Sequence, residues 1–300
     1  MMDDDRQLDL ALDAHLRSTD SAAARLLVEI ADLEDTPAFV HPGMCLTSLP
    51  IRSLKDPAAM WRVQNGEVAR LTVKPERDDD GIYHGVPSGS KARLILLYLI
   101  DRATKGRSPR VELGRSLNDW LARMGAANGG KDYSEVRRQL RRLRHSRISL
   151  QLRTGDSRLT TDRAVIASDV SRLAAGAIAN DDDEMLIIEL SRDFFEEVVK
   201  FPVEVQEAAI RQLGEHCRAL DIYLWLAFRL PHIDQEVRLS WKALHAQFGQ
   251  GVRNIRHFRK DFRGDFERAL QVYPGARALL VEDGAQLLPS PKPCRMAVLR

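Results

Sequence analysis

The chain has 300 residues, with 45 Lys+Arg against 43 Asp+Glu and 44% hydrophobic residues, enough for about two domains with ordinary hydrophobic cores. Its longest apolar runs, residues 94–100 and 222–228, fall far short of the roughly twenty residues that span a bilayer, and the acidic start Met1-Met2-Asp3-Asp4-Asp5 has the wrong charge for a signal peptide. Three widely spaced cysteines, Cys45, Cys217 and Cys294, argue against a disulfide framework and for a reducing cytoplasm, with no membrane partner.

Charge is segregated along the chain. Residues 1–40 carry ten acids against Arg6, Arg17 and Arg25, a net of −7, which leaves +9 for the remainder. Leu8, Leu12, Leu16, Leu26, Leu27 and Ile30 form a helical stripe in this region. It reads either as a helix docked on the body or as an arm for a partner. The loop of residues 85–91 is expected to cap a long apolar helix over residues 90–105, with Ser88 or Ser90 as N-cap. Lys91 and Arg93 at that start are candidate phosphate contacts. A strand fragment, Val111 to Leu113, follows. Then comes a ten-residue amphipathic helix from Ser116 to Gly125, with Leu117, Trp120, Leu121 and Met124 on its buried face.

Residues 125–132 resemble a phosphate-binding glycine loop. Asp132 stands where the magnesium-binding hydroxyl would be, and the loop follows a helix rather than a strand. It reads as a turn into the next helix, with Lys131 placed to touch a phosphate. That helix, in residues 131–147, has a net charge of +5. Tyr133, Val136, Leu140 and Leu143 make one apolar face, while Arg137, Arg138, Arg141, Arg142 and Arg144 occupy the arc beside and opposite it. A solubilising helix would interleave acids at i±4. This pattern fits a helix that faces a polyanion. β-like sequence follows at residues 148–153 and 185–190, read as a hairpin. The cluster Asp181, Asp182, Asp183 and Glu184 reads as a solvated loop.

The second half repeats the order. A long helix is expected over residues 207–230, then a strand fragment from Val237 to Leu239. A ten-residue helix runs from Ser240 to Gly249, with Trp241, Leu244 and Phe248 buried and Gly249 suited to a left-handed stop. The basic helix of residues 252–268 has a net charge of +3. Val252, Ile255, Phe258, Phe262 and Phe266 form its apolar stripe, and Arg253, Arg256, Lys260 and Arg263 its basic one. Asp261, Asp265 and Glu267 dilute the field. Residues 276–281 and 285–288 make a hairpin about an Asp283-Gly284 turn.

Helix, strand, helix, basic helix and hairpin thus occur twice, offset by about 124 residues. This is the order of a winged helix, whose third helix can lie in a major groove. The expected fold is α+β, mostly helical: two tandem winged-helix domains with an N-terminal helical extension. Residues 1–80 form the acidic extension and linker, 81–200 the first winged-helix domain and 201–300 the second. The eight histidines show no metal-binding spacing, so neither a metal nor another cofactor is expected. The same absence disfavours a metal-dependent nickase.

These motifs also carry a resemblance. Gly85-Val-Pro-Ser-Gly-Ser-Lys-Ala-Arg-Leu94, Leu113-Gly-Arg-Ser-Leu-Asn-Asp-Trp-Leu121, Gly129-Gly130-Lys131, Leu220-Asp-Ile-Tyr-Leu-Trp-Leu226, Trp241-Lys-Ala-Leu-His-Ala-Gln-Phe-Gly249 and Leu288-Pro-Ser-Pro291 together resemble plasmid-encoded replication initiators of RepA type. The resemblance spans residues 38–291. It implies two winged helices that bind repeats in a plasmid origin, help open the duplex and bring in host replication proteins, with a homodimer able to repress its own gene. No enzymatic activity is expected. The alternatives are a transcriptional repressor on the same scaffold and, in another class, a DNA nickase or primase.

Overall fold

The computed structural model describes residues 36–66, 68–112, 130–154, 157–164, 187–249 and 251–294. The leucine stripe of residues 8–33, the expected helix at 116–125, most of the glycine loop after it and the acidic cluster at 181–184 lie outside the described residues.

The fold is α+β. In chain order the described elements are β1 (Pro37–Val40), α1 (Pro42–Leu46), β2 (Trp61–Asn65), β3 (Ala69–Pro75), α2 (Gly89–Gly106), β4 (Arg110–Glu112), α3 (Gly130–Arg144), β5 (Ser146–Thr154), β6 (Ser157–Ala164), β7 (Ile187–Glu189), α4 (Arg192–Lys200), β8 (Val203–Gln206), α5 (Glu207–Leu213), α6 (Cys217–Arg229), β9 (Val237–Ser240), α7 (Trp241–Phe248), α8 (Ile255–Gln271), β10 (Ala278–Val281) and β11 (Gly284–Leu287).

The two apolar runs occupy helices α2 and α6. Every residue of 94–100 is buried, as is every residue of 222–227. One contiguous hydrophobic cluster contains both helices and reaches α3, α7 and α8. The expected helix over 207–230 is divided. Helix α5 ends at Leu213, and α6 begins at Cys217. Gly214 lies between them, where an added Cβ would stand 3.1 Å from a Leu94 methyl. The close approach of α2 makes this break tight, and a side chain here would require Leu94 to shift by a few tenths of an ångström.

Charge joins the two central helices. Arg93 is 1% exposed. Its Nε donates to Asp221 Oδ1 and its Nη2 to Asp221 Oδ2, both at 2.8 Å. Its remaining N–H groups donate to the carbonyls of Leu49, Pro50 and Gly89. All five guanidinium donors are therefore satisfied. Lys91 Nζ pairs with Glu215 Oε1 at 2.7 Å. Neither side chain is placed to meet a phosphate, which corrects the reading of Lys91 and Arg93 as phosphate contacts. A buried arginine at the head of an apolar helix needs a carboxylate, and only the fold shows that Asp221 supplies it.

Residues 37–75, expected within the extension and linker, hold three strands and a short helix. β1 pairs with β8, α1 packs on α6, and β2–β3 is an antiparallel hairpin. β3 then pairs with β5, and β5 with β6, giving a four-stranded sheet in the order β2-β3-β5-β6. The predicted hairpin partner of β5 at residues 185–190 is corrected. β6 takes that place, and β7 pairs with β4 instead. Alternation was the only sequence cue for these strands, and Trp61–Asn65 and Ala69–Pro75 mix it with charge. β2 and β3 pair locally, but the second partner of β3, β5, lies far along the chain, and pattern within the segment does not reveal that pairing.

The second half keeps its expected order. β9, α7, α8 and the β10–β11 hairpin follow α6, and the sheet order is β10-β11-β9. Ser240 Oγ accepts from Ala243 N as N-cap of α7. Trp241, Leu244 and Phe248 are buried as expected. Gly249 is not left-handed (φ −89°). Its Cβ would lie 2.3 Å from the His245 ring, so contact rather than φ requires glycine there. The hairpin turn is Glu282-Asp283, because Val281 already pairs with Gly284. At Gly284 a Cβ would meet Leu239 O at 1.8 Å.

Two outcomes follow for stability. Asp221→Ala leaves Arg93 buried without its counter-charge and should cost about 3–5 kcal/mol in chemical denaturation. His41 caps α1, with Nδ1 accepting from Gly43 N at 3.1 Å. Burial lowers its pKa to about 4, despite Glu197 at 3.5 Å. Between pH 6.5 and 4 the unfolded chain therefore binds a proton that the folded one rejects. Stability should be insensitive to this group above pH 6.5 and fall by about 3 kcal/mol on acidification to pH 4. Imidazole NMR of the folded protein should show His41 titrating near 4, and His41→Gln should flatten the acid limb of a urea series.

Candidate nucleic-acid interface

Helix α3 turns Val136, Gln139, Leu140 and Leu143 into the body, each 6% exposed or less. Tyr133, the remaining member of the expected stripe, has no described side chain, and neither has Lys131. On the opposite side Arg138 and Arg141 are exposed, with Arg137 and Arg144 half-buried at the flanks. Arg138 is ion-paired with Glu135 three residues earlier. The same carboxylate accepts from Gln139 Nε2 at 2.7 Å.

Arg142 is placed differently from its neighbours. Its Nε donates to His84 O at 2.9 Å, and its Nη1 to Ser53 Oγ at 2.8 Å and Ser88 Oγ at 3.0 Å. Ser88 is the N-cap of α2, and its N–H donates to Gln139 Oε1 at 2.9 Å. The loop of residues 85–91 is thus a socket for α3. Gly85, at φ +85°, brings its backbone against the Arg142 guanidinium, which would stand 3.7 Å from an added Cβ. Burial, and secondarily the charge of Arg138, lowers the Arg142 pKa, though a guanidinium stays charged at neutral pH. At 100° per residue Arg142 is the arginine nearest Gln139 around the helix, which is why it reaches the socket.

Helix α8 is anchored by Phe258, Phe262 and Phe266, all 1% exposed or less. Trp241 meets Phe258 and Phe262 edge-on at 6.4 and 5.9 Å, a favoured aromatic geometry. Val252 is only partly buried and Ile255 is 37% exposed. The first turn projects beyond the core, so the predicted stripe begins to bury only at Phe258. Asn254 is the N-cap, its side chain accepting from Arg256 N at 2.8 Å.

Arg253, Arg256, Lys260 and Arg263 are exposed. Arg256, Lys260 and Arg263 fall within about 60° of one another around the axis. Among the described residues none of the four has an ion pair. Of the three acids expected to dilute this field, Asp265 is turned away, accepting from Arg218 at 3.1 Å and Arg268 at 3.2 Å, whereas Asp261 and Glu267 are exposed, and Glu267 lies in line with Arg263 and Lys260 around the axis. Arg259 joins the outer face, held 5.2 Å from the Trp241 ring centroid, a cation–π distance. The sequence signal for it was present: at 100° per residue Arg259 lies 60° from Arg256, with Arg268 on the opposite side of the helix. Each half therefore presents one basic helix. α8 carries the more open cationic stripe, although α3 has the larger net charge.

Comparison with known proteins agrees with the motifs. Two solved structures are similar over most of the chain. One is a selenomethionine derivative of domains 2 and 3 of RctB, with TM-score 0.49 and 13% identity over 80% of this chain and 93% of that one. The other is RctB domains 2–3, with TM-score 0.47 and 14% identity over 75% and 82%. No curated protein matches the sequence. The family of plasmid-encoded RepA proteins matches residues 86–243, just over half of the chain. That stretch runs from the socket of α3 through both central helices to the start of α7, and on this match the chain belongs to the plasmid-encoded RepA family of replication initiators.

Proposed function

We propose that the protein binds double-stranded DNA sequence-specifically, at repeats in a plasmid origin, through two winged helices. The observation that carries this reading is the outer stripe of α8. Arg253, Arg256, Lys260 and Arg263 face solvent without described acid partners, on a helix whose back is fixed by three buried phenylalanines. The order α6, β9, α7, α8 and hairpin, closed by a three-stranded sheet, supports a winged helix in the second half. α2, β4, α3 and the β5–β6 hairpin support a modified one in the first, in which the hairpin joins β3 instead of β4.

A cationic helix of this girth enters a major groove about 12 Å wide. Arginines on its outer face then reach phosphates and base edges, Arg to guanine being the commonest specific contact. Arg137, Arg138, Arg141 and Arg144 supply contacts from the first half, with Lys131 at the helix start. Arg142 serves by holding α3 in its socket. The mechanism involves no covalent chemistry and no cofactor. Contact energy offsets the deformation of the origin duplex, and host replication proteins in the cytoplasm act on the opened DNA. A homodimer occupying an operator would account for repression by the same surfaces.

If both helices engage, about six to eight phosphates are neutralised, and log K against log salt should have a slope of roughly −5 to −7. A slope near −1 would contradict engagement by both. Arg141→Ala should weaken duplex binding while the chain stays folded, read by circular dichroism. Leu140→Ala should cost about 2–5 kcal/mol of stability, read by denaturant titration. Initiation separates from simple repression in one assay: the gene with its origin should maintain a plasmid in a host that otherwise cannot replicate it. Incubating supercoiled origin DNA with magnesium should leave it unnicked.

A further inference from the structure

Strands β2, β3 and β5 turn one face into a small core of Val63, Leu71, Val73, Leu150 and Leu152. Their other face is polar, exposed at Arg62, Lys74 and Arg147 and closed over at its centre, where Thr72 is 9% exposed. The pairing register places Arg62 across from Thr72, Arg70 across from Gln64, and Lys74 across from Arg147. Arg70 is half-buried. No outward position of these three strands is acidic; by register the nearest acid on the fourth strand is Asp162, opposite Ser149 on the far side of β5 from β2 and β3. Arg147 is ion-paired at 3.0 Å with Glu76, which lies beyond the end of β3. Arg70 Nη2 donates to Gln64 Oε1 at 3.1 Å. Among the described residues Arg62, Arg70 and Lys74 have no ion pair.

This arrangement costs stability. Like charges directly opposite on neighbouring strands repel, and diagonal neighbours at about 7–8 Å still interact. Lys74 faces Arg147 directly, and Arg62 has Arg70 and Lys74 on its two diagonals. A chain with nearly equal numbers of acids and bases could alternate signs here, yet the face carries cations and neutral hydrogen-bonding side chains. A polyanion relieves the repulsion. The outward positions include no aromatic ring, so a stacking platform for single-stranded bases is missing. Side chains two apart on a strand rise about 6.8 Å, which sets Arg70, Thr72 and Lys74 in a row along a backbone. Helix α7 packs on the edge strand β2, so this face adjoins the unit that carries α8.

We propose that the outer face of the β2–β3–β5 sheet is a further contact surface for the phosphate backbone of duplex DNA, beside the segment held by the basic helices. It rests on the reading above only in taking duplex DNA as the partner, and it adds a surface outside the helix and hairpin of either winged helix.

The test uses the full chain and a duplex of about 60 base pairs from its own origin, with affinity measured across a salt series. The Arg62→Gln, Arg70→Gln, Lys74→Gln triple variant should bind at least tenfold more weakly near 0.1 M salt. Its log–log slope should be shallower by about 2–3, and its footprint shorter on one side. If the triple variant does not fold, Lys74→Gln and Arg62→Gln singly should each reduce the slope by about 1. Unchanged affinity, slope and footprint would overturn the proposal. So would a loss confined to single-stranded DNA. An Arg256→Gln, Lys260→Gln variant run alongside separates the two readings. If it alone loses binding, the sheet proposal fails and the helix reading stands; if the wild-type chain binds no duplex, both fail.

Discussion

Arg93 and Asp221 stand at the heads of the two apolar helices, and the bidentate bond between them fixes how those helices meet. Each ion loses its water on burial, a penalty of several kcal/mol that only well-directed partners offset. Here both carboxylate oxygens are engaged, and the three remaining guanidinium donors go to backbone carbonyls. A greasy interface between α2 and α6 would tolerate sliding by a turn. A guanidinium with five required acceptors does not. The pair also ties down residues 49–50, just ahead of the β2–β3 hairpin, so one side chain sets the relation of both helices to the chain that precedes them.

The surface inherits its charge from this interior. Asp221 and Glu215 take up Arg93 and Lys91. Asp265 takes up Arg218 and Arg268. What remains outside is cationic in specific places: the stripe of α8, the exposed side of α3 and the polar face of the sheet. Near-neutrality of the whole chain is therefore compatible with a strong local field, because many acids are spent against structural cations. The same logic removes Arg142 from the outer face. Its hydrogen bonds to Ser53, Ser88 and the His84 carbonyl convert a groove-facing candidate into the fastening of α3.

Much of the second half was legible in the sequence. Ser240 as a cap, the buried Trp241, Leu244 and Phe248, and the phenylalanine stripe of α8 are local signals that depend on helical period alone. The first half was harder to read. β2 and β3 alternate apolar and polar residues and pair with each other in a local hairpin, a signal the composition of the stretch masks; that β3 also pairs with β5, some eighty residues away, is not legible locally. The hairpin partner of β5 was misplaced because residues 157–164 are polar, whereas residues 187–189 look apolar and belong to a different pair. Gly249 and Gly284 were read as turn formers. Their requirement is absence of a side chain against His245 and Leu239, which no local rule contains.

By itself the sequence determined the periods of the helices, the two apolar runs that form the core, and the two concentrations of positive charge. These follow from residue spacing, since a helix carries its own hydrogen bonds and shows its faces in its repeat. Only the tertiary structure decided which cations are consumed by buried carboxylates and which stay outside, and which strands share a sheet. Those outcomes are set by contacts between residues distant in the chain, where the energy of a charge depends on what desolvates it and what lies opposite.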